Sequence, residues 1–322
     1  MHKIIAGTTF ATVLVLSGCG GGGGGGGGSA PAAALPTATS VSGTAAKGIV
    51  KQATVLVCRI VNGAPQPDVS CSSGTTGNDG SYKVTLSDGY TGPAMVKVMA
   101  GAASTMMDET TGTYVPYSMT MRAVAPAVSK STTVNVTPFS EMAATAVSTT
   151  TIDATTISQS IAAVESTMMA LGVDTSVMPV VDLQDYGSDS AMLARQSNMV
   201  KQLARVAMAA KNSNLLKDAN GIACNAAGTT TSQQFACAVA AMDGVMNSYV
   251  TADTTKATNV LAALNAQNVT AVAMPIRKAD GTVDVEPVDM TSSASMETAM
   301  ENAGMTVSAA TNTVNAMMGG MH

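Results

Sequence analysis

Protein chemistry depends on side chains that move protons, attack carbon or hold metals, and this sequence of 322 residues supplies them unevenly. Its two histidines are His2, near the start, and His322, the last residue. A packed Ser-His-Asp or Cys-His arrangement would therefore lack its central imidazole, and a multi-histidine zinc site could not assemble. The cysteines are more informative. Cys58 and Cys71 stand 13 positions apart, and so do Cys224 and Cys237. An even number of local pairs, with no CxxC spacing, predicts two disulfides made in an oxidising compartment rather than a thiolate metal site.

Two other groups could hold ions. The chain has 24 Met against 13 Leu, and its end, Met317-Met318-Gly319-Gly320-Met321-His322, offers three thioethers and an imidazole, a soft set suited to Cu(I). Most other methionines, Met168, Met199 and Met242 among them, fall on apolar helix faces and read as core fillers in place of leucine. Carboxylates gather at Asp182, Asp185 and Asp189, and again at Asp280, Asp284, Glu286 and Asp289, where oxygen ligands for Ca²⁺ could converge. Neither group follows the EF-hand pattern, and a solvated acidic loop is the simpler expectation for both. No resident cofactor is expected.

Composition excludes further classes. A net charge of −5, no Trp and only 3% aromatic residues argue against binding a phosphate backbone or stacking bases, so no nucleic-acid partner is expected. No GxSxG, Walker A motif or GxGxxG within a βαβ unit occurs, the one glycine-rich stretch being a homopolymer.

That homopolymer belongs to an address. After Lys3 comes a mostly apolar run from Ile4 to Leu16, too short to span a bilayer and shaped like a signal-peptide core. It ends in Leu16-Ser17-Gly18-Cys19, which resembles the lipobox of bacterial lipoproteins. The resemblance implies cleavage of residues 1–18 as a signal peptide, lipidation of Cys19 and attachment to a membrane through that residue. Gly20 in place of Asp is similar to the pattern of outer-membrane retention, with the protein facing the periplasm or the cell surface. Gly20 to Gly28 are nine consecutive glycines, and residues 19–40 carry no charge, so this segment reads as a flexible tether.

Beyond the tether the texture changes twice. From Val41 to Val136 short stretches rich in β-branched residues or alternating in polarity predict strands at 53–61, 81–86, 94–99, 114–124 and 132–136, separated by turns such as Asn78-Asp79-Gly80. Gly43-Thr44-Ala45-Ala46-Lys47-Gly48-Ile49-Val50, followed by a β-rich run and Thr76-Gly77-Asn78-Asp79-Gly80-Ser81-Tyr82, resembles carboxypeptidase-regulatory-like, transthyretin-like modules. The likeness spans about 40 residues and implies a β-sandwich with a non-catalytic companion role.

After Val136 the period becomes helical. Thr137, Pro138 and Glu141 predict a helix start. Ile157, Ile161, Val164, Met168 and Leu171 share one helix face, with Thr156 to Gln159 as capping box and Gly172 as stop. Further helices are expected at 190–211, 232–249, 253–266 and 293–303, with a short hairpin turned by Asp280-Gly281. The expected fold is α+β and multidomain: a small antiparallel β-sandwich over 41–136, then a mainly α-helical domain over 137–322. With so little catalytic equipment, the expected role is a non-enzymatic cell-envelope lipoprotein presenting these domains for binding, adhesion or extracellular assembly. Its partners would be proteins or envelope and matrix components. The alternatives are a periplasmic copper- or calcium-handling protein, or a glycan-acting enzyme working with two carboxylates.

Overall fold

A computed structural model of the chain describes residues 38–148, 151–170, 173–185, 190–251 and 254–319. Cys19, the glycine run, Leu171, Gly172, Asp189, Met321 and His322 lie outside the described residues. The N-terminal half supplies β1 (Thr39–Thr44), β2 (Val50–Lys51), β3 (Thr54–Val61), β4 (Ala64–Pro65), β5 (Ser72–Thr75), β6 (Ser81–Leu86), β7 (Ala94–Met99), β8 (Thr105–Met107), β9 (Tyr114–Pro116), β10 (Thr120–Ala125) and β11 (Ser131–Thr133). They form three sheets: β11-β1-β6, β10-β7-β3 with β4 and β5 paired to β3, and β2-β8-β9.

Alternation along the strands explains the layering. Val55, Val57, Val96 and Val98 share a buried core with Val41, Val84 and Leu86 of the first sheet, while Ile60, Met95 and Val124 emerge on the opposite side of their sheet. That opposite side is covered by helix α1 (Pro138–Val147) and the start of α2 (Ala154–Ala170), through Ala144, Val147 and Ile157. With both faces covered, β3 is buried almost throughout and reads as a continuous apolar run.

The pairing is not antiparallel everywhere: β1 runs antiparallel to β6 but parallel to β11. β11 follows β10 from the other sheet instead of turning back from its neighbour, so no hairpin dictates its direction. The stretch expected as one strand over 114–124 is broken into β9 and β10, in different sheets. At the break Tyr117 turns inward, 2% exposed, and its hydroxyl donates to the Val98 carbonyl at 2.9 Å.

Helix α1 begins as its sequence predicts: Ser140 N–H donates to the Thr137 hydroxyl, Thr137 N–H donates to the Ser140 hydroxyl, and Pro138 occupies the first turn. The cap of α2 lies three residues before the expected one. Thr156 N–H donates to the Asp153 carboxylate at 2.7 Å, and Asp153 N–H to the Thr156 hydroxyl at 2.9 Å. A carboxylate at the cap also meets the positive end of the helix dipole, which a threonine hydroxyl does not.

The remaining elements are β12 (Val181–Asp182), α3 (Ser190–Asn212), α4 (Thr231–Thr251), α5 (Thr254–Asn265), β13 (Ala271–Arg277), β14 (Val283–Asp289), α6 (Ser293–Asn302) and α7 (Val307–Gly319). Asp280-Gly281 does turn a hairpin, with Gly281 at φ +83° and Lys278 N–H donating to the Thr282 carbonyl. The hairpin belongs to a three-stranded sheet, β12-β13-β14, so the segment after residue 137 is not purely helical. The protein is α+β, with seven α-helices and several sheets among the described residues.

Packing runs across residue 137. The main core joins strand residues such as Val55 and Val96 to Phe139 and Met142 of α1, Met199 and Leu203 of α3, Phe235 of α4 and Val260 of α5. A second core lies between the β12-β13-β14 sheet, α6, α7 and the other side of α3, through Met274, Met300, Val314 and Val200. α3 is thus a wall with two buried faces. Met199, Met242 and Met274 sit within these cores, the filling role that flexible thioethers suit.

Candidate functional site

The chemically unusual place in the fold is a dry ionic seam. β1 runs into a turn at residues 46–49 that passes over the end of β8. Gly48 makes that approach possible: its φ is +63°, and a Cβ there would lie 2.5 Å from the Met107 carbonyl oxygen. Met107 N–H also donates to the Ile49 carbonyl at 3.0 Å. The backbone therefore holds Lys47 against the turn that follows β8. Lys47 Nζ stands 2.5 Å from Glu109 Oε2, the two side chains being 0% and 1% exposed. The Phe235 ring of α4 caps the ammonium, with its centroid 4.4 Å from Nζ. Glu109 Oε1 is buried and has no hydrogen-bond partner among the described residues.

The neighbouring carboxylate is better satisfied. Asp108 Oδ2 receives Lys211 Nζ of α3 at 2.5 Å, and its Oδ1 accepts from the Thr110 hydroxyl and amide. Burial alone would raise the Asp108 carboxyl, but the Lys211 and Thr110 hydrogen bonds and the Lys47 charge outweigh it and hold the group below the usual carboxylate range. The Glu109 carbonyl accepts from Ala273 N–H of β13 at 2.7 Å. One short turn thus touches the β1–β2 connection, α3, α4 and β13.

A second charged cluster sits where β10 meets α1. Arg122 Nη2 donates to Glu141 Oε1 at 2.5 Å, and the Arg122 amide to Oε2 at 2.6 Å. Asp243 of α4 lines the same small cavity as Glu141, and its carboxyl is pushed up to about 6, by burial first and by the Glu141 charge, with Arg122 opposing. Two neighbouring carboxyls, one of them with a raised pKa, are the kind of pair that acid–base catalysis uses. The cavity, however, is about 130 Å³, well below the roughly 300 Å³ at which small-molecule sites begin, so a sugar ring does not fit between them. A larger cleft of about 350 Å³ lies between the ends of β10 and β11 and helices α1 and α2. Among the described residues Glu165 is its one carboxylate, and the Thr175 hydroxyl on its wall is buried without a partner.

The residues singled out from the sequence fall elsewhere. Sulfur bonds join Cys58 to Cys71 and Cys224 to Cys237, with Cα separations of 4.5 Å and 5.4 Å. Asp68 lies beside the first pair, but disulfide sulfurs are not thiolate ligands, and that carboxylate is taken by Lys97 at 2.6 Å. Met317 and Met318 belong to the backbone of α7, while Met321, His322 and Cys19 lie outside the described residues. The acidic group of the hairpin is dispersed in local tasks: Asp280 accepts from Thr282, Asp284 pairs with Lys278, Glu286 meets Asn302, and Asp289 accepts from Thr291. Asp182 accepts from the Gln184 amide and faces Arg277, whose other partner is Asp79 at 2.7 Å.

Sequence reasoning passed over the seam. Lys47 lies inside the glycine-bounded stretch read for its fold resemblance. The available signal was a lone lysine among Ala45, Ala46, Ile49 and Val50, and a lone acidic pair directly after Met106-Met107. No family model matches the chain, and no curated protein or solved structure matches it either. No helix among the described residues is long and apolar enough to cross a membrane.

Proposed function

We propose that this protein is a non-catalytic lipoprotein of the bacterial cell envelope, attached to the outer membrane through Cys19 and presenting its folded body to a protein or matrix partner. In this reading residues 1–18 are a signal peptide and 19–40 a lipidated tether. The β segment 41–136 is a carboxypeptidase-regulatory-like sandwich, and the mainly helical segment 137–322 acts with it as one presented unit because they share a core.

The observation that carries the proposal is the placement of the two disulfides. Each has large apolar side chains turned outward in the surface segment that it closes or that leads into it. Val69, 96% exposed, lies in the loop closed by Cys58–Cys71; Ile222, 56% exposed, and Leu215 lie in the turn that leads into Cys224. Disulfides persist in oxidising, exported environments, which agrees with the leader, and the apolar side chains exposed near them are available for contact with a partner. The test is metabolic labelling with a palmitate analogue followed by detergent phase partition. The wild-type chain should take up label and enter the detergent phase, and Cys19→Ala should do neither. An unlabelled wild-type chain, or a labelled Cys19→Ala variant, would overturn the anchor.

A further inference from the structure

We infer that Lys47 and Glu109 condense to an intramolecular isopeptide bond, a covalent link between the β1–β2 turn and the segment after β8. The two groups meet the requirements of amide formation without a further reagent. Their atoms are in contact, Nζ to Oε2 at 2.5 Å, and both side chains are shut off from water. Neither can move away, because the Lys47 turn is pinned by the close approach at Gly48 and the Glu109 backbone by its bond to Ala273.

As a simple ion pair the arrangement is poorly satisfied. An ammonium has three donors and a carboxylate about four lone-pair sites. Among the described residues Nζ has one carboxylate oxygen and the face of a phenyl ring, and Glu109 Oε1 has no partner. A charged pair in a dry interior is stabilising only when its remaining hydrogen-bonding capacity is met. The amide removes both charges and one oxygen, so it resolves the mismatch that the salt bridge leaves. The contrast with Asp108 is informative, since that carboxylate is fully engaged by Lys211 and Thr110 and has no free oxygen to lose.

The step balances internally. One proton passes from the Lys47 ammonium to the Glu109 carboxylate, giving an amine and a carboxylic acid in contact. The nitrogen lone pair attacks Cδ, and the carbonyl π electrons move to its oxygen. The second proton leaves nitrogen for the hydroxyl, and water departs as the carbonyl re-forms. No oxidant, reductant or activating nucleotide is consumed. Enforced contact of this kind reaches effective molarities on the order of 10⁵–10⁸ M, and a dry site limits the return hydrolysis.

The experiment is peptide and intact-mass analysis of the full chain purified from an exporting bacterial host, reduced and denatured. Each chain's mass is compared with that of Lys47→Arg, which keeps the positive charge but not the amine, so that N-terminal processing cancels. The wild-type chain should be lighter than its composition relative to Lys47→Arg by the mass of one water. Trypsin should release a branched peptide joining the segment that ends at Lys51 to residues 98–122. Glu109→Ala should abolish both signs. Because the decisive reading is made on the wild-type chain, poor folding of a variant does not obscure it. A wild-type chain at full mass, yielding separate linear peptides with Lys47 cleaved by trypsin, overturns the inference.

Discussion

Two lysine–carboxylate pairs in this protein have the same chemistry and opposite surroundings. Lys47 and Glu109 are 0% and 1% exposed and come from turns 62 residues apart in sequence. Lys278 and Asp284 are 29% and 43% exposed and flank one hairpin turn. In the first pair water is gone and each side chain depends on the other, whether as an ion pair or through the inferred amide; in the second, solvent screens both charges and either can be lost. Burial, rather than the identity of the partners, decides how much the fold depends on the contact.

The largest expected effect follows at once. Lys47→Met leaves a carboxylate sealed beneath Phe235, and Glu109→Leu leaves an ammonium there; orphaning one member of a buried pair should cost about 3–5 kcal/mol of stability, and loss of the inferred cross-link adds to it. The double variant Lys47→Met with Glu109→Leu orphans neither charge and should recover a clear part of the orphaned-charge loss, while the contribution of the inferred cross-link stays lost. Urea unfolding of the four chains checks this. Single variants that unfold at the wild-type midpoint would show that the seam is hydrated in solution. A double variant no better than the singles would show that the orphaned charge is not what the singles suffer from.

Asp243 lies between these extremes, and there the effect depends on pH. Its folded carboxyl is raised to about 6 from an ordinary value of 3.8. Across that window the folded chain binds more protons than the unfolded one, so stability falls as pH rises from about 4 to about 6 and stays lowered above it. Asp243→Asn removes the charge that burial and Glu141 disfavour. It should therefore stabilise the protein at neutral pH by on the order of 1 kcal/mol, after allowance for partial exposure of the group, and do little below about pH 4. Denaturation at the two pH values measures the difference. An equal shift at both would mean that packing, not ionisation, governs this position.

The contrast between the two lysine pairs also marks what the sequence could reveal. The hairpin was legible because its signals are local: Asp280-Gly281 demands a positive φ, and the acidic residues around it cluster within a few positions. The disulfides were legible for the same reason, two pairs at equal short spacing. The seam was not, because Lys47 and Glu109 carry no short-range pattern and meet only when the β1–β2 turn closes over β8. Helix α7 was hidden differently. Its Thr, Ser, Asn and Val residues are mediocre helix formers, and the helix is stabilised by burying Ala310, Thr313 and Val314, a contribution visible only once its packing partners exist. The break at Tyr117 belongs to the same class, since that tyrosine turns inward to reach a carbonyl on β7.

The smallest expected effect is at the exposed pair, and it tests the comparison from its other side. Lys278 is held protonated above its ordinary range, by the hydrogen bond to Asp284 first, against desolvation as the next largest influence, and with the charges of Asp284, Asp280 and Glu286 adding to the rise. A direction of that kind suggests a stabilising contact. Yet the ammonium is at the surface, and a single salt bridge there must offset the entropy of holding two long side chains while salt screens its attraction. The turn has its own reasons to form: Asp280 accepts from the Thr282 hydroxyl and amide, Gly281 supplies the positive φ, and Lys278 N–H donates to the Thr282 carbonyl. Lys278→Ala should therefore leave the unfolding midpoint unchanged, at low and at high salt alike. A salt-dependent fall in the midpoint of this variant would mean that hairpin electrostatics matter to the β12-β13-β14 sheet, and that exposure alone is a poor guide to which lysine the fold requires.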